Sequence, residues 1–148
     1  MLFLFLFSIL FTNLVENFYN TIIDIFRIMA NKRDLKARIR YACGEIAGEC
    51  ILTKDYVPGI DEEKVDDIVC AVALLQVRTV DRVSVCFDRT VKAFPDKKAY
   101  RRARKDYFKR CYAELKKEFQ ASLVEVVKDM NALLPQEVRD ANKATAAK

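Results

Sequence analysis

Beyond residue 30, apolar residues recur every three or four positions over most of the chain. At this period, successive side chains line one face of a helix. The longest run is Tyr100, Ala103, Tyr107, Cys111, Leu115, Phe119, Leu123, Val126, Met130 and Leu134. It predicts a single amphipathic helix over about residues 95–134. A second run, Val65, Val69, Val72, Leu75, Val80, Val83, Phe87, Val91 and Phe94, predicts a helix over about 61–94. A third, Leu35, Ile39, Ala42, Ile46 and Cys50 with Thr53, predicts one over about 31–54.

Start and stop signals agree with these periods. Asn31 is placed to cap the first helix, with Asp34 in its first turn. The segment Asp55 to Ile60 (DYVPGI) is a turn, since Pro58 disfavours helix at Val57 and Pro-Gly is strong turn chemistry. Asp61 caps the second helix, and Glu62 and Glu63 match the positive end of its dipole. Pro95 ends the second helix and suits the first turn of the third. Pro135 closes the third, leaving a short C-terminal helical turn packed by Val138 and a polar tail at 141–148. The fold class is therefore all-α, an antiparallel up-down-up bundle of three long helices plus that short turn.

Two features complicate this pattern. Residues 68–77 (IVCAVALLQV) are apolar nearly all round, which predicts the most buried stretch of the bundle. The stretch RVSVCF alternates like a strand, but a lone strand has no sheet partner, so helix is retained with a bend expected near Thr79-Val80-Asp81. The second and third helices also outrun the first. Their overhang needs cover from residues 1–28, from the C-terminal turn, or from a second copy of the chain, and the expectation is a homo-oligomer.

Residues 1–28 differ from the rest. Twenty of residues 2–28 are Phe, Leu, Ile, Asn or Tyr, and Ala, Gly, Pro and Lys are absent before Met29. A secretory signal would need basic residues before the apolar run and a small-residue cleavage site after it. A spanning anchor would need about twenty apolar residues, whereas Asn13, Glu16, Asn17, Asn20 and Asp24 interrupt this stretch. A shallow interfacial segment is easier to build. The third reading is a mis-assigned start, with translation from Met29, a single helical domain over 29–140 and a cytoplasmic protein. Membrane association is expected only where residues 1–28 are translated and retained.

Composition narrows the chemistry. Three Gly and three Pro suit long helices rather than turn-rich folds. The absence of His removes the commonest general base and zinc ligand. P-loop, G-x-G-x-x-G, G-x-S-x-G and H-E-x-x-H patterns are missing. The chain is expected not to be an enzyme and to need no cofactor or metal. Cys43, Cys50, Cys70, Cys86 and Cys111 form no C-x-x-C, and their mostly small and apolar neighbours predict buried free thiols in a reducing compartment. The acidic run from Asp61 to Asp67 lacks calcium-loop spacing and reads as a solvated helix start.

Charge singles out the third helix. The whole chain carries +5, and the segment Asp96–Lys117 holds ten basic residues against three acidic ones. At about 100° per residue, Lys98, Arg101, Arg102, Lys105, Lys109 and Lys116 fall on one side. Such a face suits a polyanion, either nucleic acid or an acidic protein. Tyr100, Tyr107, Phe108 and Tyr112 would stack on unpaired bases if exposed. Gly44 and Gly48, four apart on the first helix, are candidates for a close helix crossing. The functional expectation is a small, self-associating helical protein that contacts nucleic acid or another polyanion. The alternatives are a protein-interaction module without a nucleic-acid role, or a membrane-anchored protein.

Overall fold

The structure is a computed structural model and describes residues 31–140. The three readings of residues 1–28 and the tail at 141–148 lie outside the described residues. Three long helices, α1 (Lys32–Tyr56), α2 (Glu62–Val83) and α3 (Lys97–Leu133), are followed by a short helix α4 at residues 136–140. Between α2 and α3 lies a 3₁₀ turn, Val91–Ala93.

Local chemistry sets the helix ends. Asn31 Oδ1 accepts the Asp34 N–H at 2.8 Å and starts α1. Val57 closes it by donating its N–H to the Thr53 carbonyl. Gly59 then takes φ +78°, left-handed backbone that a Cβ would strain. Asp61 accepts the Lys64 N–H at 3.2 Å to open α2. Asp96 accepts the Ala99 N–H at 2.6 Å to open α3. Pro95 therefore precedes the cap, two residues before the first turn where the sequence placed it.

The antiparallel order is pinned at both ends. Lys32 Nζ donates to the Val85 carbonyl at 2.6 Å and Lys36 Nζ to Ser84 Oγ at 2.6 Å, which sets the start of α1 beside the end of α2. At the other end Lys54 pairs with Asp66 at 2.8 Å. The buried apolar side chains of the described residues form one cluster, with Ile39 and Cys43 from α1, Val65 and Val72 from α2, and Phe119 and Leu123 from α3. Fully burying a side chain of this size stabilises the fold by about 1.5–3 kcal/mol. Leu134 and Val138 close the cluster at the C-terminal end, as expected of Val138. Two buried threonines satisfy their hydroxyls within their own helices: Thr53 donates to Glu49 O and Thr79 to Leu75 O, both at 2.7 Å.

The second helix departs from its predicted span. It is continuous through Thr79-Val80-Asp81 but ends at Val83, not near Phe94. Residues 85–90 run without regular structure, neither helix nor strand. The physical reason is cover. A longer α2 would carry Phe87 and Val91 past the start of α1, which would leave them without cover from α1. Turning back sets Phe87 against α3 instead, 5.7 Å from Tyr100 and 5.3 Å from Tyr107 between ring centroids.

A second correction concerns residues 68–77. Ile68 and Val72 are buried, but Cys70, Ala71, Ala73, Leu74 and Val77 face outward and are exposed. α2 is covered on one side only.

Candidate functional site

The basic face lies on the first half of α3. Buried residues on this helix begin at Leu115, so the half from Lys97 to Tyr112 runs along and beyond the end of the bundle. Lys98, Arg101, Arg102, Lys105 and Lys109 are all exposed, and Lys116, at the edge of the core, is half-buried. The ion pairs among the described residues engage Lys54, Lys64 and Arg82, and none of these six cations.

The position is electrostatically costly. A helix N-terminus carries a partial positive charge, so each exposed cation in the first turn opposes the dipole by about 0.3–1 kcal/mol. α2 places Glu62 and Glu63 in its first turn. α3 places Lys97 and Lys98 there, with Asp96 as its cap and no acid in the turn itself. The result is an outward positive potential at one end of the molecule.

An aromatic brace supports this half. Phe87, from the returning segment, meets Tyr100 and Tyr107 with ring centroids 5.7 and 5.3 Å apart, and Phe94 meets Tyr100 at 5.6 Å and Phe87 at 6.2 Å. Phe108 touches Tyr107 edge-on and stacks on Tyr112. The Tyr112 hydroxyl donates to the Val83 carbonyl at 3.2 Å, tying the brace to the end of α2. Tyr100, Tyr107, Phe108 and Tyr112 are thus each half-buried, Tyr100 and Tyr107 against the returning segment. Phe87 and Phe94, which the periodicity assigned to the core stripe of α2, are bracing residues. The strand-like alternation of RVSVCF is a sign in the sequence that the helix weakens there, but it names no end-point.

A shallow hollow of about 260 Å³ adjoins the brace, lined by Asn31, Lys32, Leu35, Arg104, Phe108 and Tyr112. The Lys32 ammonium and the Arg104 guanidinium lie 5.3 Å and 5.6 Å from the Phe108 ring centre. Both are in range of cation–π attraction.

Gly44 and Gly48 do not come together with another helix among the described residues. A Cβ at either would meet no atom within 4 Å. Tyr41, Ile51 and Leu52 beside them are exposed.

The cysteines divide differently from expectation. All five thiols are free; Cys43 and Cys50 are buried, Cys111 is half-buried, and Cys70 and Cys86 are exposed. Burial pushes the Cys43 and Cys50 thiols up to about 11, with Glu49 adding to the effect at Cys50. Neither is a ready thiolate at neutral pH. Burial, with Glu45 nearby, also raises the Glu49 carboxyl above its ordinary value.

Asp61 and Asp66 are used as a helix cap and as an ion-pair partner of Lys54. No group of three or more potential metal ligands converges among the described residues. No helix among them is long and apolar enough to cross a membrane. Comparison with protein-family models, curated proteins and solved structures finds no match, so the site is read from its geometry alone.

Proposed function

We propose that this small all-helical protein self-associates and binds the phosphate backbone of a nucleic acid through the basic face of α3. The observation that carries this reading is the row of exposed cations Lys98, Arg101, Arg102, Lys105 and Lys109, without ion-pair partners among the described residues, which begins with Lys98 in the first turn, where a cation opposes the helix dipole. A solvated surface alone gives no reason to concentrate cations there, and a polyanion does. Successive rows of this face are separated by about 4.5–6 Å of helix rise, and the five span about 16 Å. Lys116 lies further along and marks the margin.

The brace refines the mode of binding. With Tyr100 and Tyr107 engaged by Phe87 and Phe94, contact falls mainly to the cations and is indifferent to base sequence. Each phosphate neutralised contributes about −0.9 to the slope of log affinity against log salt on a duplex, and about −0.7 on a single strand. Five contacts predict slopes near −4.5 and −3.5. Fluorescence anisotropy with a mixed-sequence duplex across a salt series tests this. Changing Lys98, Arg101, Arg102, Lys105 and Lys109 to Gln should abolish most of the slope. Equal binding by that variant overturns the reading.

A second reading, a protein-interaction module without a nucleic-acid role, is favoured by the exposed apolar residues Tyr41, Ile51 and Leu52 on α1 and Leu74 and Val77 on α2. Neither reading includes a catalytic step. Five free thiols fit a reducing compartment. Membrane anchoring rests on residues 1–28 alone.

A further inference from the structure

We infer that the outer face of α2 is the self-association surface, and that its partner is the same face of a second copy, packed antiparallel about a two-fold axis. This rests on the self-association half of the reading above and is independent of the polyanion half.

The patch is Cys70, Ala71, Ala73, Leu74 and Val77, all exposed, with Leu74 and Val77 each 56% accessible. Cys70, Leu74 and Val77 follow at steps of four and three and so share one side of the helix. This side points away from the core formed by Val65, Ile68, Val72 and Val83. Large outward apolar residues in the middle of a helix, bounded by charge, mark an interaction surface more than scattered single ones do.

Charge supplies the identity and direction of the partner. The patch is bounded by Asp67 towards the start of α2 and by Arg78 towards its end, both exposed. The ion pairs among the described residues use neither of them. The midpoint of Asp67 and Arg78 falls between Val72 and Ala73. The midpoint of the apolar stretch from Cys70 to Val77 falls between Ala73 and Leu74, one residue away. A two-fold axis through the Asp67–Arg78 midpoint sets Asp67 of one copy against Arg78 of the other, twice over. It lays Leu74 on Ala71 of the partner copy, large against small. A parallel pairing would instead oppose Asp67 to Asp67 and Arg78 to Arg78. Self-complementarity of one patch is what an isologous two-fold interface requires, and opposed charges at its ends fix the register.

The test uses charge reversal on the full chain, in reducing buffer, by sedimentation equilibrium across a micromolar series. The wild type is expected to dimerise. Asp67→Arg and Arg78→Asp, each placing like charges together at both ends, should weaken the dimer at least tenfold. The double variant should restore it, and Leu74→Glu should abolish it. Circular dichroism checks that these surface variants keep their helices. Dimerisation unchanged by both single reversals overturns this surface while leaving self-association standing. Weakening by the single reversals without recovery in the double overturns the antiparallel pairing. A monomer throughout overturns both the surface and self-association, and protection of Cys70 from thiol labelling in that monomer would put another segment of the chain on the patch.

Discussion

The two halves of α3 share one helix and one apolar period, yet they are held by different means. From Leu115 to Met130 the stripe is buried in the bundle, with Phe119 only 1% accessible. From Lys97 to Tyr112 no residue of the helix is fully buried. The first half is steadied by rings from the segment that precedes it. The core half owes its place to area removed from water, and the projecting half to a local brace and a cap. The projecting half also carries the uncompensated charge. A helix can thus extend a rigid charged surface beyond a core, provided that a neighbouring segment folds back to support it.

The largest expected effect lies in the core half. Phe119→Ala should cost about 3–5 kcal/mol in chemical denaturation. Where the variant remains folded, its salt-dependent binding to a duplex should match the wild type. Lost binding in a folded Phe119→Ala protein would break the separation of the halves.

Phe87→Ala should cost less, about 1–2 kcal/mol, because the ring is only half-buried and its contacts are with other rings. Its signature is location. Amide exchange should quicken over residues 97–107 and stay slow over 115–130. Uniform quickening would show that the brace belongs to the core.

Asp96→Ala removes the cap of α3 and should cost about 1 kcal/mol, with fraying at the same end. Lys98→Glu is the sharper probe. It replaces a cation with an anion at the positive end of the helix, so it should stabilise the fold by about 0.3–1 kcal/mol. It should also weaken duplex binding. A gain in stability with no loss of binding would remove Lys98 from the contact face.

The smallest effect sits where the halves meet. The Arg82 guanidinium pairs with Glu118 and holds its carboxyl below the ordinary value. A depressed carboxylate stabilises the fold above its unfolded value, and that contribution fades as pH falls through the folded one. Glu118→Gln should therefore differ from the wild type more at neutral pH than in acid. Both side chains are largely exposed, so the difference should be slight.

Much of this was legible in the sequence. The limits of α1 and α3 lie within two residues of those read from periodicity, because Asn31 and Pro135 are local signals that act on the adjacent backbone. The exposed cations of α3 also follow from spacing, since residues opposite an apolar stripe face solvent. The end of α2 at Val83 was not legible. Phe87, Val91 and Phe94 continue its period, and only the missing cover beyond α1 decides against helix. The engagement of Tyr100 and Tyr107 by Phe87 was hidden for the same reason.

The chain by itself determined the helical class, the turns, the caps and the clustering of charge, because these depend on neighbours within a few residues. The tertiary structure alone decided which apolar residues are covered. Leu74 and Val77 resemble Ile68 and Val72 in the sequence, and only the placement of α1 and α3 on one side of α2 leaves the first pair in water. Burial depends on what stands opposite a residue, and that is settled by elements far away along the chain.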